Sequence, residues 1–353
     1  MTKTLKAVKE NVKLIGRTYY DGEKLWCGLS GTGIEFNFSG KSCEIKIGSD
    51  SIGKSADPAN ETNKARIAIL VNGERVIDDI IRDNGKAYTV IKSDEEKTAV
   101  VTVIKLSEAA MSAFSVDEIT ADGEISPTAE KPVLIEFIGD SITCGYGVDD
   151  EDENHNFSTA TEDVTKAYAY RTAKALGVDY SMVSYSGYGI VSGYTGDGVI
   201  NASELVPPYY ENPAYTIGDF GGVKPQTIKW DFSARQPDLI LINLGTNDDS
   251  YCGEDEERRG EYCRLYIEFL KTVRKNNPNA KIVCSLGIMT DRLCPYVEKN
   301  VEDYKKLTGD NNITSFRFDV QLLEDGYAAN YHPTAKTHGK AAEKLTAYLK
   351  TLI

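Results

Sequence analysis

The sequence predicts a two-domain protein: a β-sandwich of jelly-roll type over residues 1–125, then an α/β domain on a parallel sheet over residues 133–353. Three observations predict it. The 353 residues exceed what a single hydrophobic core usually organises. The first third reads as short β-branched runs separated by turn residues, without a convincing helix period. Beyond residue 132, short apolar strands alternate with amphipathic helices, the pattern of a parallel sheet covered on both faces.

In the first domain the strand-like runs are 33–38, 43–47, 65–71, 87–91 and 98–106. Asn72-Gly73, between IAILV and ERVI, is the pair that a two-residue type I′ hairpin requires, since both central residues take positive φ. The acidic, proline-containing stretch ADGEISPTAEKP (121–132) has the polarity of a linker and sets the boundary.

In the second domain the expected strands are VLIEFI (133–138), 179–184, DLILINL (238–244), KIVCSL (281–286) and ITSFRFDV (313–320). Helices are expected near 164–177, 255–276, 294–308 and 334–352. Open α/β sheets bind ligands at the carboxyl ends of their strands, so the site is sought just after each run. Between residues 190 and 237 lies a Gly-, Pro- and Tyr-rich insertion, and loops of that length inside a compact domain commonly carry function.

Composition narrows the function. At 41% hydrophobic and 27% charged the chain is an ordinary globular protein. With 40 Lys and Arg against 54 Asp and Glu the net charge is −14, which repels nucleic acid at long range and suits a neutral substrate. No window approaches an uncharged membrane span, so no membrane partner is expected. The opening MTKTLKAVKENVKLIG carries no apolar leader, which leads to an expectation of a cytoplasmic protein. Seven cysteines, an odd number without a CxxC pair, argue against a disulfide framework and against a zinc site. Nothing in the sequence speaks to oligomeric state.

Chemistry gathers at the strand ends. Gly139-Asp140-Ser141 follows VLIEFI, in a turn that presents the Ser141 hydroxyl; such a hydroxyl needs a base within hydrogen-bond reach and donors for the oxyanion. Cys144, three residues on, reads as a packing thiol. Gly187 follows DYSMVSYS, where a main-chain N–H without a Cβ nearby approaches a substrate closely. Asn247, in GTND after DLILINL, adds a side-chain amide, and with the Ser141 N–H these form a three-donor oxyanion hole. His332, in NYHP before the final helix, is the candidate base. The other two histidines, His155 in DDEDENHNFS and His338 in AKTHGKAAEKL, follow no strand.

These blocks resemble those of the SGNH (GDSL-type) hydrolases: Ser141 matches the nucleophile, Gly187 and Asn247 the oxyanion donors, His332 the catalytic histidine. With GTGIEFNFSG and KLSEAA in the domain ahead of them, the chain is most similar to the family 2 carbohydrate esterases. The resemblance implies a three-layer α/β/α SGNH-hydrolase domain behind the jelly roll and a Ser-His acyl-enzyme mechanism. It also implies removal of acetyl groups from plant-derived xylan or glucomannan oligosaccharides, without metal or organic cofactor.

One departure is Ala329, which occupies the acidic position of the family's DxxH pattern. A main-chain carbonyl can hold the histidine tautomer instead, and some members of the family are thought to work as Ser-His dyads; Asp325 is an alternative orienter if the loop folds back. Tyr209, Tyr210, Tyr215 and Trp230 are candidates to stack on sugar rings, packing of the loop being the alternative; Trp26 is read as a sandwich packing residue. Two other functions stay open. A lipase or thioesterase of the same fold would need an apolar acyl channel, and a carbohydrate-binding protein with a decayed esterase site is motivated by Ala329.

Overall fold

The structure, a computed structural model, describes residues 2–353, which divide into two units. The first takes the chain up to Lys131 together with Phe157–Val164 and Asn212–Trp230; the second takes Pro132–Asn156, Thr165–Glu211 and Asp231–Ile353. The sequence predicts one crossing near the linker, but two later segments return to the first unit. Their anchors lie there. Thr159 donates its hydroxyl to the Lys64 carbonyl at 2.6 Å, Asp163 pairs with Arg75 at 2.8 Å, and Phe220 stacks on Trp26 with ring centroids 5.8 Å apart.

The first unit is an antiparallel β-sandwich. Its spine is two long strands, Gly33–Ser49 and Lys86–Lys105, paired over most of their length. Sequence reading splits each into two, because Gly40-Lys41 and the charged run 92–97 resemble turns. The strands instead run through, with register shifts at Gly40/Ser42 and Cys43/Glu44, bulges of the kind an interior glycine often marks. Alternate residues point inward, and Phe36, Ile45, Ile67, Val103, Phe114 and Val116 are fully buried in the core. Between Arg66–Val71 and Glu74–Ile80, Asn72 and Gly73 have φ of 52° and 84°, the positive pair of a type I′ turn.

The second unit is a parallel sheet of five strands among the described residues: β1 (Leu134–Gly139), β2 (Asp179–Ser184), β3 (Leu239–Asn243), β4 (Lys281–Ile288) and β5 (Ile313–Val320). Every residue of β1 and β3 is buried, as both-face coverage by helices requires. Tyr168–Leu176 packs on Ala335–Leu349, and Glu256–Asn276 on Cys294–Thr308. The first of these helices is shorter than the predicted 164–177, because Ala167 is extended and breaks the run ahead of Tyr168.

Spatial order is β2-β1-β3-β4-β5, so the chain moves outward from β1 to β2 and then back across to β3. That reversal opens a crevice at the carboxyl ends of β1 and β3, where open α/β sheets place their ligands. Gly139 lies opposite Ser184 on one side and Asn243 on the other, so three strand ends finish level. Among the described residues no helix is long and apolar enough to cross a membrane.

Candidate active site

Just past Gly139, the Asp140 carboxylate caps a one-turn helix, Ser141–Cys144, by accepting the Ile142 N–H at 3.0 Å. Ser141 takes the first helical position and keeps only 4% of its surface exposed. Its Oγ lies 2.9 Å from His332 Nε2. The opposite ring nitrogen, Nδ1, lies 3.1 Å from the carbonyl oxygens of both Ala329 and Asn330. A proton on Nδ1 satisfies these carbonyls and leaves Nε2 as the acceptor for the serine proton.

No carboxylate stands at the position three before His332, which is alanine. Ala329 is fully buried against Gly147 (φ +59°), so closely that a methyl on Gly147 would come within 2.7 Å of the Ala329 Cβ. Asp325 faces elsewhere: Lys336 at 2.8 Å and Lys340 at 2.6 Å hold its carboxyl below the usual range. With no carboxylate beside it, His332 is pushed by burial down to about 4, although its two carbonyl partners act in the opposite sense. His338 is buried and accepts the Tyr168 N–H at 3.2 Å, and exposed His155 bonds Asp150 at 3.0 Å. Cys144 is buried with its thiol 3.3 Å from Ser184 Oγ.

Gly187 lies three residues past the end of β2 with φ +82°, and Asn247 four past the end of β3, on the helix Thr246–Cys252. Asn247 Nδ2 donates to the Tyr188 carbonyl at 2.8 Å, which fixes the amide and leaves one of its two N–H bonds for a ligand. The neighbouring Asp248 carboxylate accepts the N–H groups of Ile190 (2.9 Å), Val191 (2.7 Å) and Ser192 (3.2 Å), tying the loop after Gly187 to that helix. Burial raises Asp248 to about 6 and Asp140 to about 7. The register of the three strands thus brings Ser141, Gly187 and Asn247 to neighbouring strand ends.

A hydroxyl bonded to an imidazole beside such donors is the apparatus of acyl transfer. Residues 137–340 match the family model described as the GDSL-like Lipase/Acylhydrolase family, a span that includes all four residues. The chain belongs to the GDSL-like lipase/acylhydrolase family. Residues 14–128 match a second model, the carbohydrate esterase 2 N-terminal domain.

Among curated relatives of this GDSL hydrolase, the cellulase/esterase CelE of Acetivibrio thermocellus is 29% identical over 92% of the chain. The chain spans only 37% of that protein's length. An acetylxylan esterase / glucomannan deacetylase of Cellvibrio japonicus is 27% identical, covering 100% of this chain and 92% of its own. A solved family two carbohydrate esterase from Clostridium thermocellum, in complex with cellohexaose, superposes with a TM-score of 0.82 at 27% identity, covering 96% and 98% of the two chains.

The aromatic residues considered either as sugar platforms or as packing for the loop take different places in the GDSL hydrolase. Tyr210 has no exposed surface: its hydroxyl donates to Glu136 at 3.0 Å and accepts from Asn277 at 2.7 Å, so it packs the insertion down. Tyr209 is half-buried, its ring 6.2 Å from Tyr185 and 6.3 Å from Tyr188. Trp230 belongs to the first unit, where the Arg17 guanidinium lies 5.6 Å over its ring, and Tyr215 belongs there too. The sequence reading missed Tyr194, which is 63% exposed and donates its N–H to the Gly187 carbonyl at 2.8 Å. It also missed Tyr146, whose ring stacks on His332 at 3.9 Å.

Proposed function

We propose that this GDSL hydrolase is a carbohydrate O-acetyl esterase acting on acetylated plant-derived oligosaccharides of the xylan or glucomannan type. The observation that carries the reading is the 2.9 Å bond between Ser141 Oγ and His332 Nε2, in a chain whose N-terminal domain matches a carbohydrate esterase model. The named activity of the Cellvibrio japonicus relative supplies the substrate class.

In this reading Ser141 Oγ attacks the acetyl carbonyl while His332 Nε2 takes its proton. The N–H groups of Ser141 and Gly187 and the Asn247 amide receive the oxyanion. Collapse expels the sugar oxygen, which takes the proton from His332, and leaves an acetyl ester on Ser141. Water, activated by the same imidazole, then releases acetate. None of these steps calls on a metal or organic cofactor. Tyr194, an exposed tyrosine whose main chain bonds that of Gly187, is the better candidate for a sugar platform.

The seven cysteines are free thiols, six of them buried, which supports a reducing compartment such as the cytoplasm. The test is acetate release from acetylated xylo- and manno-oligosaccharides by the wild type, with and without EDTA, and by Ser141→Ala. Release that survives EDTA and vanishes in the variant is expected. A wild type that ignores acetylated sugars and cleaves longer acyl esters would replace this reading with a lipase or thioesterase.

A further inference from the structure

A triad carboxylate does two things for its histidine: it holds the ring in one tautomer and orientation, and it stabilises the imidazolium that forms in the transition state. Here the Ala329 and Asn330 carbonyls occupy the Nδ1 side. A carbonyl on a surface turn orients a ring only if the turn itself is held. This turn is conformationally unfavourable, since Asn330 and Tyr331, neither a glycine, have φ of 50° and 59° in succession.

The Ala328–His332 ladder pair closes it, and three further bonds tie it to the rest of its unit. Ala329 N–H donates to the Asp150 carbonyl at 3.2 Å, Gln321 Nε2 donates to the Tyr331 carbonyl at 2.9 Å, and Asn330 Nδ2 donates to the Tyr146 hydroxyl at 2.6 Å. The third leads back to the nucleophile, because the Tyr146 N–H bonds the carbonyl of Ser141 at 3.1 Å. The Tyr146 ring also lies almost parallel to the His332 ring, centroids 3.9 Å apart and planes 22° from coplanar. An aromatic face attracts a cation more than a neutral ring, so this contact strengthens as the imidazole becomes imidazolium. An interaction stronger in the transition state than in the ground state raises kcat and leaves KM alone.

We propose that Tyr146 is a positioning residue that takes over both tasks of the missing carboxylate. Its hydroxyl holds the Asn330 side chain, and with it the turn whose carbonyls accept the Nδ1–H bond, while its ring face steadies and stabilises the charged His332. The proposal rests on the Ser141–His332 reading and is independent of the sugar.

The test uses 4-nitrophenyl acetate with the full chain, measuring kcat and KM for the wild type, Tyr146→Leu, Tyr146→Phe, Asn330→Gly and the Phe/Gly double variant. Tyr146→Leu is expected to lower kcat about 10- to 30-fold with KM within about twofold, the range of a desolvated cation–π contact. Tyr146→Phe keeps the ring and should recover kcat to within roughly fivefold of the wild type, as loss of one neutral hydrogen bond allows. The double variant should be no slower than the slower single, since both remove the same bond. A Leu variant with unchanged kcat, one whose loss lies in KM, or equal Phe and Leu variants would overturn the proposal. If the Leu variant does not fold, as judged by circular dichroism, additive losses in the Phe/Gly cycle would overturn it. A wild type inactive on this ester would bring down the Ser-His reading and the proposal together.

Discussion

The Asp325 carboxylate is bonded to the Lys340 ammonium at 2.6 Å. With Lys336 on its other oxygen at 2.8 Å, it serves the start of the C-terminal helix and not the imidazole. Asp325→Asn should therefore leave kcat within about threefold of the wild type, whereas losing a triad carboxylate costs on the order of 10⁴. Ester hydrolysis by the purified variant decides, and a loss above about 10³ would restore Asp325 as the orienter.

Asn247 is locked by its bond to the Tyr188 carbonyl, so its amide needs no reorganisation when charge develops. Asn247→Ala should cost about 10²- to 10³-fold in kcat with little change in KM. A KM effect alone would assign the amide to ground-state binding.

Acid tolerance follows from the burial of His332. A general base works when neutral, so activity is present above its pKa and lost as pH falls through it. An unperturbed histidine would give an acid limb near 6.5, and His332 is pushed down to about 4. The limb of the kcat/KM profile that reports His332 should fall below about pH 5, while Asp248 and Asp140, raised to about 6 and 7, set any change above it. A His332 ring that titrates near 6.5 by NMR would show that it is solvated in the working enzyme.

Tyr194→Ala removes an exposed ring from a residue whose main chain bonds that of Gly187. Ring stacking of ordinary strength gives roughly a 3- to 10-fold rise in KM for acetylated oligosaccharides. The rate on 4-nitrophenyl acetate should not change, and equal effects on the two substrates would remove Tyr194 from the sugar site.

Tyr210→Phe deletes a hydroxyl held between Glu136 and Asn277. Stability should fall by about 1–3 kcal/mol, the cost of leaving buried partners unsatisfied, with kcat per folded molecule unchanged. Denaturant unfolding and active-site titration separate the two effects.

The sequence places every strand of the second unit's parallel sheet to within two residues. Cys294–Thr308 and Ile313–Val320 coincide with their predicted spans, because helix period and strand pattern are local properties. Position along the chain likewise brings Ser141, Gly187 and Asn247 to strand ends, since a parallel sheet sets its loops at one edge. Local pattern fails where the deciding partner is remote. Whether a loop tyrosine is buried depends, for Tyr210, on Glu136, 74 residues earlier. The Asn330–Tyr146 bond spans 184 residues. The 17- and 20-residue strands of the sandwich were illegible because an interior Gly-Lys and a charged run look like turns unless their pairing partners are known.

The return of Phe157–Val164 and Asn212–Trp230 to the first unit has an evolutionary consequence. A genetic crossover at residue 131 would bring in a foreign sandwich while leaving Phe220, the stacking partner of Trp26 and Tyr19, with the old coding sequence. Arg17 and Trp230 would be parted in the same way. Shuffling by simple end-to-end exchange therefore separates residues that must be inherited together, and viable chimaeras of this chain will carry all three segments from one parent.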